Sequence, residues 1–542
     1  MANYRVCILA AGAGSRMGSM AQYVNKAILP VNFKATITHI IEKFPVDVEL
    51  VIAVGHKKES LLDYLKVAHP ERKFIFVNIK DIVGPGTGPG YSLLQCRPSL
   101  QCPFVLFTAD TIVLENVPAP DRNWYGIAPV VSNPEQYCTV KIKNDLICQI
   151  DDKVKTANKY AWIGLAGIYD HELFFSSLQK NKEVIAGEIQ VSNGFKNLIE
   201  HKLEPVKFTW FDTGTLENYI ETNKSFAGDN VGFDFSKSDE FLYFVGDKVI
   251  KYFADPEIVS KRCKRAAILE GLCPAIEAKT ENFYRYTKVD GQTLYSVLND
   301  SLLNDFLHWA ETYLWERYAL SSVELKSFAS ACRRFYYDKT IDRLTKFYEK
   351  TGIYDEINHI NGVPIPPLKE LLGKIDWDYL CDGIPAMIHG DLQFDNVLVQ
   401  KEKKGRKEQF ALLDWRQDFG GLLDTGDLYY DLAKMYGGMT LSYQKIKEGA
   451  FSFDMSGVNV YYKYSVNNDL LEARDEFESF IHKNNFDLRK IKILTSLIFL
   501  NMSALHRNPF DLLLFFLGKK MLHNVLIKCA ETIESDVADK NS

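Results

Sequence analysis

The sequence predicts an α/β protein in two parts, a mostly parallel sheet flanked by helices followed by an α+β part with a small β-rich lobe and a large helical lobe. Three observations predict it. From Tyr4 to Asp110, short apolar runs (YRVCILAAG, VELVIAVG, KFIFVNI, FVLFTAD) alternate with amphipathic ones (ITHIIEKF, KESLLDYLKVA, YSLLQC), the pattern of strands linked by helices. Near Gly228 the texture changes to AGDNVGFDFSKSDE, rich in Gly, Ser and charge, which divides 1–227 from 228–542. Beyond it, FLYFVGDKVIKYF reads as a β-hairpin turning at Gly246-Asp247, and from Leu303 the spacing is helical except around HGDLQFDN. A chain of 542 residues also exceeds one hydrophobic core.

In order along the chain, further strand-like runs stand at TVKIKN, YAWIGLAGIYD and VKFTWFDTG, before a helix at TLENYIETNKSF. A small lobe at about 240–300 opens with the hairpin and a helix at EIVSKRCKRAAILEGL; the helical lobe fills 301–542. KEKKGRKE, between NVLVQ and FALLD, reads as the solvated tip of a hairpin. The late run IKILTSLIFLNMSALHRNPFDLLLFFLGKKML is broken by Asn501, His506, Arg507, Pro509 and Asp511 before it spans a bilayer, so buried helices are expected and no membrane span.

A composition of 46% hydrophobic and 25% charged residues is that of a globular protein, and a net charge of -6 argues against nucleic-acid binding. Ten scattered cysteines without a CxxC pair, and an N-terminus without signal-peptide regions, lead to the expectation of a cytoplasmic protein. A homo-oligomer is compatible with this composition.

In LAAGAGSRMG a strand runs into a glycine turn and an arginine. Glycines let backbone N–H groups approach a phosphate, and Arg16 adds a charge-assisted fork. A dinucleotide-binding GxGxxG fails, because Met17 stands at the third glycine position. Lys26, in NKAILPV, supplies a second cation. Asp110 ends FVLFTAD and Asp212 ends FTWFD, at strand ends where open α/β sheets bind ligands; paired, they suit Mg²⁺.

These stretches resemble the nucleoside-diphospho-sugar pyrophosphorylases, nucleotidyltransferases of glycosyltransferase-A-like (Rossmann-like) fold, over about 1–226. The resemblance implies nucleotide binding by Ala11, Gly12, Gly14, Ser15, Arg16 and Lys26, with Arg16 and Lys26 also catalytic and Asp110 and Asp212 holding Mg²⁺. In GPGTGPGYSL it places base contacts on Thr87 and Gly88, and it gives Glu188 a sugar-contacting position. Asn25 departs from it, standing where proline is common.

HGDLQFDN places Asp391 five residues before Asn396, and FALLDWR ends a strand at Asp414. Phosphoryl transfer needs a carboxylate to orient the acceptor hydroxyl, and an Asn and an Asp to hold Mg²⁺ on the phosphates. Lys251, in VIKYF, is placed to reach ATP phosphates, and Glu270, in the following helix, to pair with it. VIKYF, HGDLQFDN, LLDWR and GDLYYDLAK resemble the aminoglycoside phosphotransferase and choline kinase family, protein-kinase-like small-molecule kinases, over about 241–522. The resemblance makes Asp391 the catalytic base, Asn396 and Asp414 metal ligands, Lys251 a phosphate ligand, Asp431 structural and His389 a scaffold.

A kinase makes a phosphomonoester and a nucleotidyltransferase consumes one. The reading is therefore a bifunctional enzyme that uses ATP to phosphorylate a small alcohol such as a sugar or polyol, then CTP, UTP or GTP to give an NDP-activated precursor, in a surface-glycan or capsule context implied by family resemblance. A fused choline kinase and phosphocholine cytidylyltransferase is the alternative, with Trp415, Tyr429, Tyr430 and Tyr436 as an aromatic cage. A kinase with a nucleotide-sensing, non-catalytic N-terminal part is a second alternative, against which the intact site residues speak.

Overall fold

A computed structural model describes residues 4–130, 133–181, 183–185, 187–227, 238–400 and 410–538, with side chains described to residue 527. The boundary expected near residue 228 and the basic run at 401–408 lie outside the described residues. The chain forms two compact units, one from the described residues of 1–231, 236–256 and 277–286, the other from those of 257–276 and 287–542.

The first unit is built on a nine-stranded sheet. Arg5–Ala10 lies at its centre, parallel to both Leu50–Val54 and Phe104–Thr108, with Ile8 opposite Ile52 and Phe107. Val6, Ile8 and Ala10 enter one core and Cys7 and Leu9 the other, which is why RVCILA is apolar at nearly every position. Tyr160–Ile168 runs antiparallel to Phe104–Thr108, so the sheet is mixed beyond its parallel centre.

Glu240–Val245 and Lys248–Phe253 form the expected hairpin, with Phe241 opposite Tyr252, in a four-stranded sheet. This sheet packs in the first unit. Phe241, Tyr243, Ile250, Tyr252 and Phe283 share a core with Tyr64 and Leu65, and the rings of Tyr243 and Phe283 lie 4.9 and 5.9 Å from that of Tyr64. Phe244 N donates to Phe33 O at 2.7 Å. The alternation in FLYF puts a row of rings on one face, and helix Lys58–Ala68 buries that row with Tyr64.

The second unit is mostly helical. Helix Leu428–Thr440 is buried along its whole length and packs on Leu488–Ser503, which packs on Phe510–Ala538. These last two helices are the late apolar run; among the described residues no helix is long and apolar enough to cross a membrane. Val397–Val399 and Phe410–Leu412 pair antiparallel. The helix expected at EIVSKRCKRAAILEGL spans Pro256–Ile268. Glu270 is therefore not on it but exposed in the turn beyond, because Gly271 adopts a left-handed φ of 81° that ends the helix. Cys7, Cys96, Cys138, Cys332 and Cys381 are buried.

Candidate active sites

The first site is built where the central parallel strands end. After Arg5–Ala10 the chain turns through Ala11, Gly12 and Gly14, whose φ of 66° a side chain would strain, into a short 3₁₀ helix Ser15–Ala21 carrying Ser15 and Arg16. Asn25 fixes the next segment. Its Nδ2 donates to Ala10 O at 3.0 Å and His56 O at 2.7 Å, and its Oδ1 accepts from Ala27 N at 2.9 Å. Lys26 follows, and its Nζ meets Asp110 Oδ2 at 2.6 Å.

Asp212 arrives on Trp210–Asp212, which pairs with Thr111–Val113 so that Asp212 stands opposite Thr111, next to Asp110 in sequence. Gly214 locates the centre of the group. A Cβ added there would lie 3.0 Å from Asp212 Oδ1, 3.4 Å from Asp110 Oδ2 and 3.8 Å from Arg16 Nη2. Burial pushes the Asp110 carboxyl up, but Lys26, the Thr108 hydroxyl and Arg16 outweigh it and hold the group below its ordinary value. Asp212 is raised, by burial and then by the Asp110 charge, although Gly214 N at 2.7 Å, Asn218 Nδ2 at 2.6 Å and Arg16 all favour its ionised form. Two carboxylates that repel each other beside an arginine form a donor set that a divalent cation suits.

Thr87 and Gly88 are bound to the segment carrying Glu188: Ile189 N donates to Thr87 O at 2.7 Å, and a Cβ on Gly88 would lie 2.7 Å from that of Glu188. Among the described residues no hydrogen bond or ion pair joins them to Arg16, Lys26 or the two aspartates. Sequence reasoning missed Asn218, Gly214 and Tyr137. The Tyr137 hydroxyl is raised by burial and by Asp212, and its ring stands edge-on to Trp210, 5.7 Å away.

The second site lies on the loop from His389 to Asn396. Arg265, almost wholly buried, donates to the carbonyls of Ile388, His389, Arg416 and Leu423 and so pins this loop from behind. Asp431 accepts from His389 N at 2.8 Å, Gly390 N at 2.7 Å and Trp315 Nε1 at 3.2 Å, and burial raises it to about 6. It is structural. His389 accepts from Asp391 N on Nδ1 at 3.3 Å, which assigns the proton to Nε2, facing Leu413 O at 2.8 Å. Burial pushes His389 down to about 4, so it is a neutral support.

Asp391 Oδ1 meets Lys434 Nζ at 2.7 Å. Burial opposes its ionisation, yet Lys434, His389 and Arg416 bring it down to about 2. Asn396 Nδ2 donates to Asp391 O at 2.8 Å, and Leu413 N to Asn396 O at 2.8 Å, bringing Asn396 to the strand end that carries Asp414. Asp414 adopts a left-handed φ of 57°, and its Oδ1 lies 3.6 Å from Arg262 Nη1. A carboxylate and an amide oxygen are ligands that Mg²⁺ accepts beside phosphates.

Lys251 lies on Lys248–Phe253 in the first unit, nearly buried. Trp415, Tyr429, Tyr430 and Tyr436 do not form an open cage. All four are buried: Trp415 donates to Arg262 O at 2.8 Å, Tyr436 to Glu478 at 2.7 Å, and Tyr430 packs on Phe335.

Comparison with known proteins adds an independent finding. Residues 6–116 match the family model of the MobA-like NTP transferase domain. This stretch lies within the first unit. Relatives include the protein named "Bifunctional protein GlmU" of Methanocaldococcus jannaschii, 28% identical over 251 residues, 45% of this chain and 59% of the relative. Its namesake in Methanococcus vannielii is 28% identical over 234 residues, 40% of this chain and 54% of the relative. The chain thus spans little more than half the length of these relatives. Similar solved structures include the CTP:phosphocholine cytidylyltransferase LicC of Streptococcus pneumoniae, at 20% identity and TM-score 0.35, covering 42% of this chain and 100% of that one. Another is a UTP-bound UGPase from Acinetobacter baumannii, at 12% identity and TM-score 0.35, covering 42% and 94%.

Proposed function

We propose that the chain is a bifunctional enzyme. Its first unit transfers a nucleotidyl group from CTP, UTP or GTP to a phosphorylated acceptor and releases pyrophosphate; its second site uses ATP to phosphorylate the alcohol that becomes this acceptor. The observation that carries the first activity is the convergence of Arg16, Asp110 and Asp212 on Gly214, with Lys26 on Asp110, at the ends of the parallel strands. The matched NTP transferase domain supports the same reading.

In the first reaction an acceptor phosphate oxygen bonds to the α-phosphorus of the NTP as the bond to pyrophosphate breaks. Arg16 and Lys26 balance the charge that leaves, and the backbone of Gly12 to Ser15 positions the triphosphate. No protein nucleophile is required. In the second, Asp391 accepts a hydrogen bond from the acceptor hydroxyl and aims it at the γ-phosphorus. A carboxylate near 2 is a weak base, so it orients throughout and takes the proton late. Asp110 with Asp212, and Asn396 with Asp414, would hold Mg²⁺, which when bound neutralises phosphate charge.

Thermal-shift titration of the whole chain with CTP, UTP, GTP and ATP plus Mg²⁺ tests this, because a ligand stabilises the fold that binds it. One of CTP, UTP and GTP should raise the melting temperature in wild type and not in Asp110→Ala, whereas the ATP shift should be lost in Asp414→Ala. No shift with any nucleotide would sink the proposal.

A further inference from the structure

Around Asp391 the second unit gathers Lys339, Arg416 and Lys434, with Arg343 beside Lys339. Lys434 pairs with Asp391. Among the described residues, Lys339 and Arg416 make no ion pair, although both feel the Asp391 charge. The Lys339 ammonium lies 4.0 Å over the Phe335 ring and 5.9 Å over that of Tyr430, and among the described residues it makes no hydrogen bond or ion pair. The Arg416 guanidinium lies 4.7 Å over the same Phe335 ring, and its Nε is buried without a hydrogen-bond partner. Gly390, beside Asp391, packs against the stem of Arg416: a Cβ there would lie 2.8 Å from Arg416 Cβ.

Cation–π contact with a ring satisfies no N–H donor, and a half-buried cation without an ion pair is costly. Burial, and then Arg416, Lys434 and Arg343, press the Lys339 ammonium toward its neutral form. An anion delivered to this corner would relieve both groups.

We infer that the alcohol phosphorylated at Asp391 carries an anionic group, a carboxylate or a phosphate, which Lys339 and Arg416 receive. The inference rests on the kinase reading and narrows it to a substrate class. The hydroxyl oxygen bonds to the γ-phosphorus, the bridging P–O bond to ADP breaks, the hydroxyl proton passes through Asp391 to solvent, and the anionic group is unchanged. A quaternary ammonium would meet repulsion in the same place.

The test uses the whole chain, Mg²⁺ and γ-labelled ATP, with a protein-free bacterial metabolite extract separated on an anion exchanger at neutral pH and Asp391→Asn as the blank. Label should enter a new phosphomonoester with the retained pool only, and phosphatase pretreatment of that pool separates a phosphate-bearing acceptor, which is lost, from a carboxylate-bearing one, which survives. Lys339→Met and Arg416→Met should each raise the KM for the retained pool about tenfold or more and leave the KM for ATP unchanged. Label arising from the unretained pool, or variants that raise the KM for ATP and spare that for the acceptor, would overturn the inference. The pool partition needs no variant, so a misfolded protein does not blunt the test. Label from neither pool removes the kinase reading itself.

Discussion

Lys26 Nζ stands 2.6 Å from Asp110 Oδ2 in a half-buried corner, and this contact sets the charge state of the first site. Lys26→Met leaves Asp110 buried against the repulsion of Asp212, so its carboxyl rises instead of lying low. Pyrophosphate release should fall about 10²- to 10³-fold, the usual cost of one transition-state charge partner. Steady-state assays against phosphorylated acceptors check this, and an unchanged rate would refute the role given to Lys26.

Gly214→Ala puts a methyl group 3.0 Å from Asp212 Oδ1 and 3.4 Å from Asp110 Oδ2. Magnesium-dependent NTP binding should weaken roughly tenfold while the melting temperature stays within about 2 °C, since the added group crowds the ligands rather than the core. Calorimetric titration with and without Mg²⁺ measures both.

The two activities should separate by single substitutions. Asp391→Asn abolishes label transfer from γ-labelled ATP and spares pyrophosphate release from NTP and phosphorylated acceptor; Asp110→Ala does the reverse. Loss of both activities in either variant would contradict independent sites.

With Asp391 held near 2, phosphoryl transfer should show no acid limb from this group between about pH 5 and 8, because the carboxylate is already ionised throughout. Lys434→Met removes the partner that offsets burial. The Asp391 pKa then rises, and an acid limb should enter the kcat/KM profile as pH falls. A profile that stays flat in the variant would show that Lys434 does not tune Asp391.

Proline would accept the Asn25 φ of -64° but lose the bond that its N–H donates to Ser60 Oγ at 3.0 Å, which does not by itself select asparagine. Its side-chain bonds to Ala10 O, His56 O and Ala27 N do. Asn25→Ala should destabilise the first unit by about 2 kcal/mol through the unsatisfied groups left behind, read from urea melts.

The first site was largely legible because each member stands at an obvious break: a glycine turn after an apolar strand, or a carboxylate closing one. Asp391 and Asn396 were legible from their spacing within one loop. Lys434 and Arg416 were not, because one sits inside a buried helix that reads as core and the other follows a strand-end aspartate whose role drew the attention. For Trp415, Tyr429, Tyr430 and Tyr436 residue type leaves a cage and core packing both open, and burial decides for the interior. Glu270 slipped for a local reason, since a left-handed glycine stops its helix two residues early.

The hairpin Glu240–Val245 and Lys248–Phe253 completes the core of the first unit although it follows residue 228 in sequence. The change of texture near 228 therefore does not mark the edge of the first unit. A protease nick near 228 would leave two fragments held together without a covalent bond, and gene shuffling at that point would strand the rings around Tyr64 in water. A swap of the first unit between chains would have to carry these strands with it.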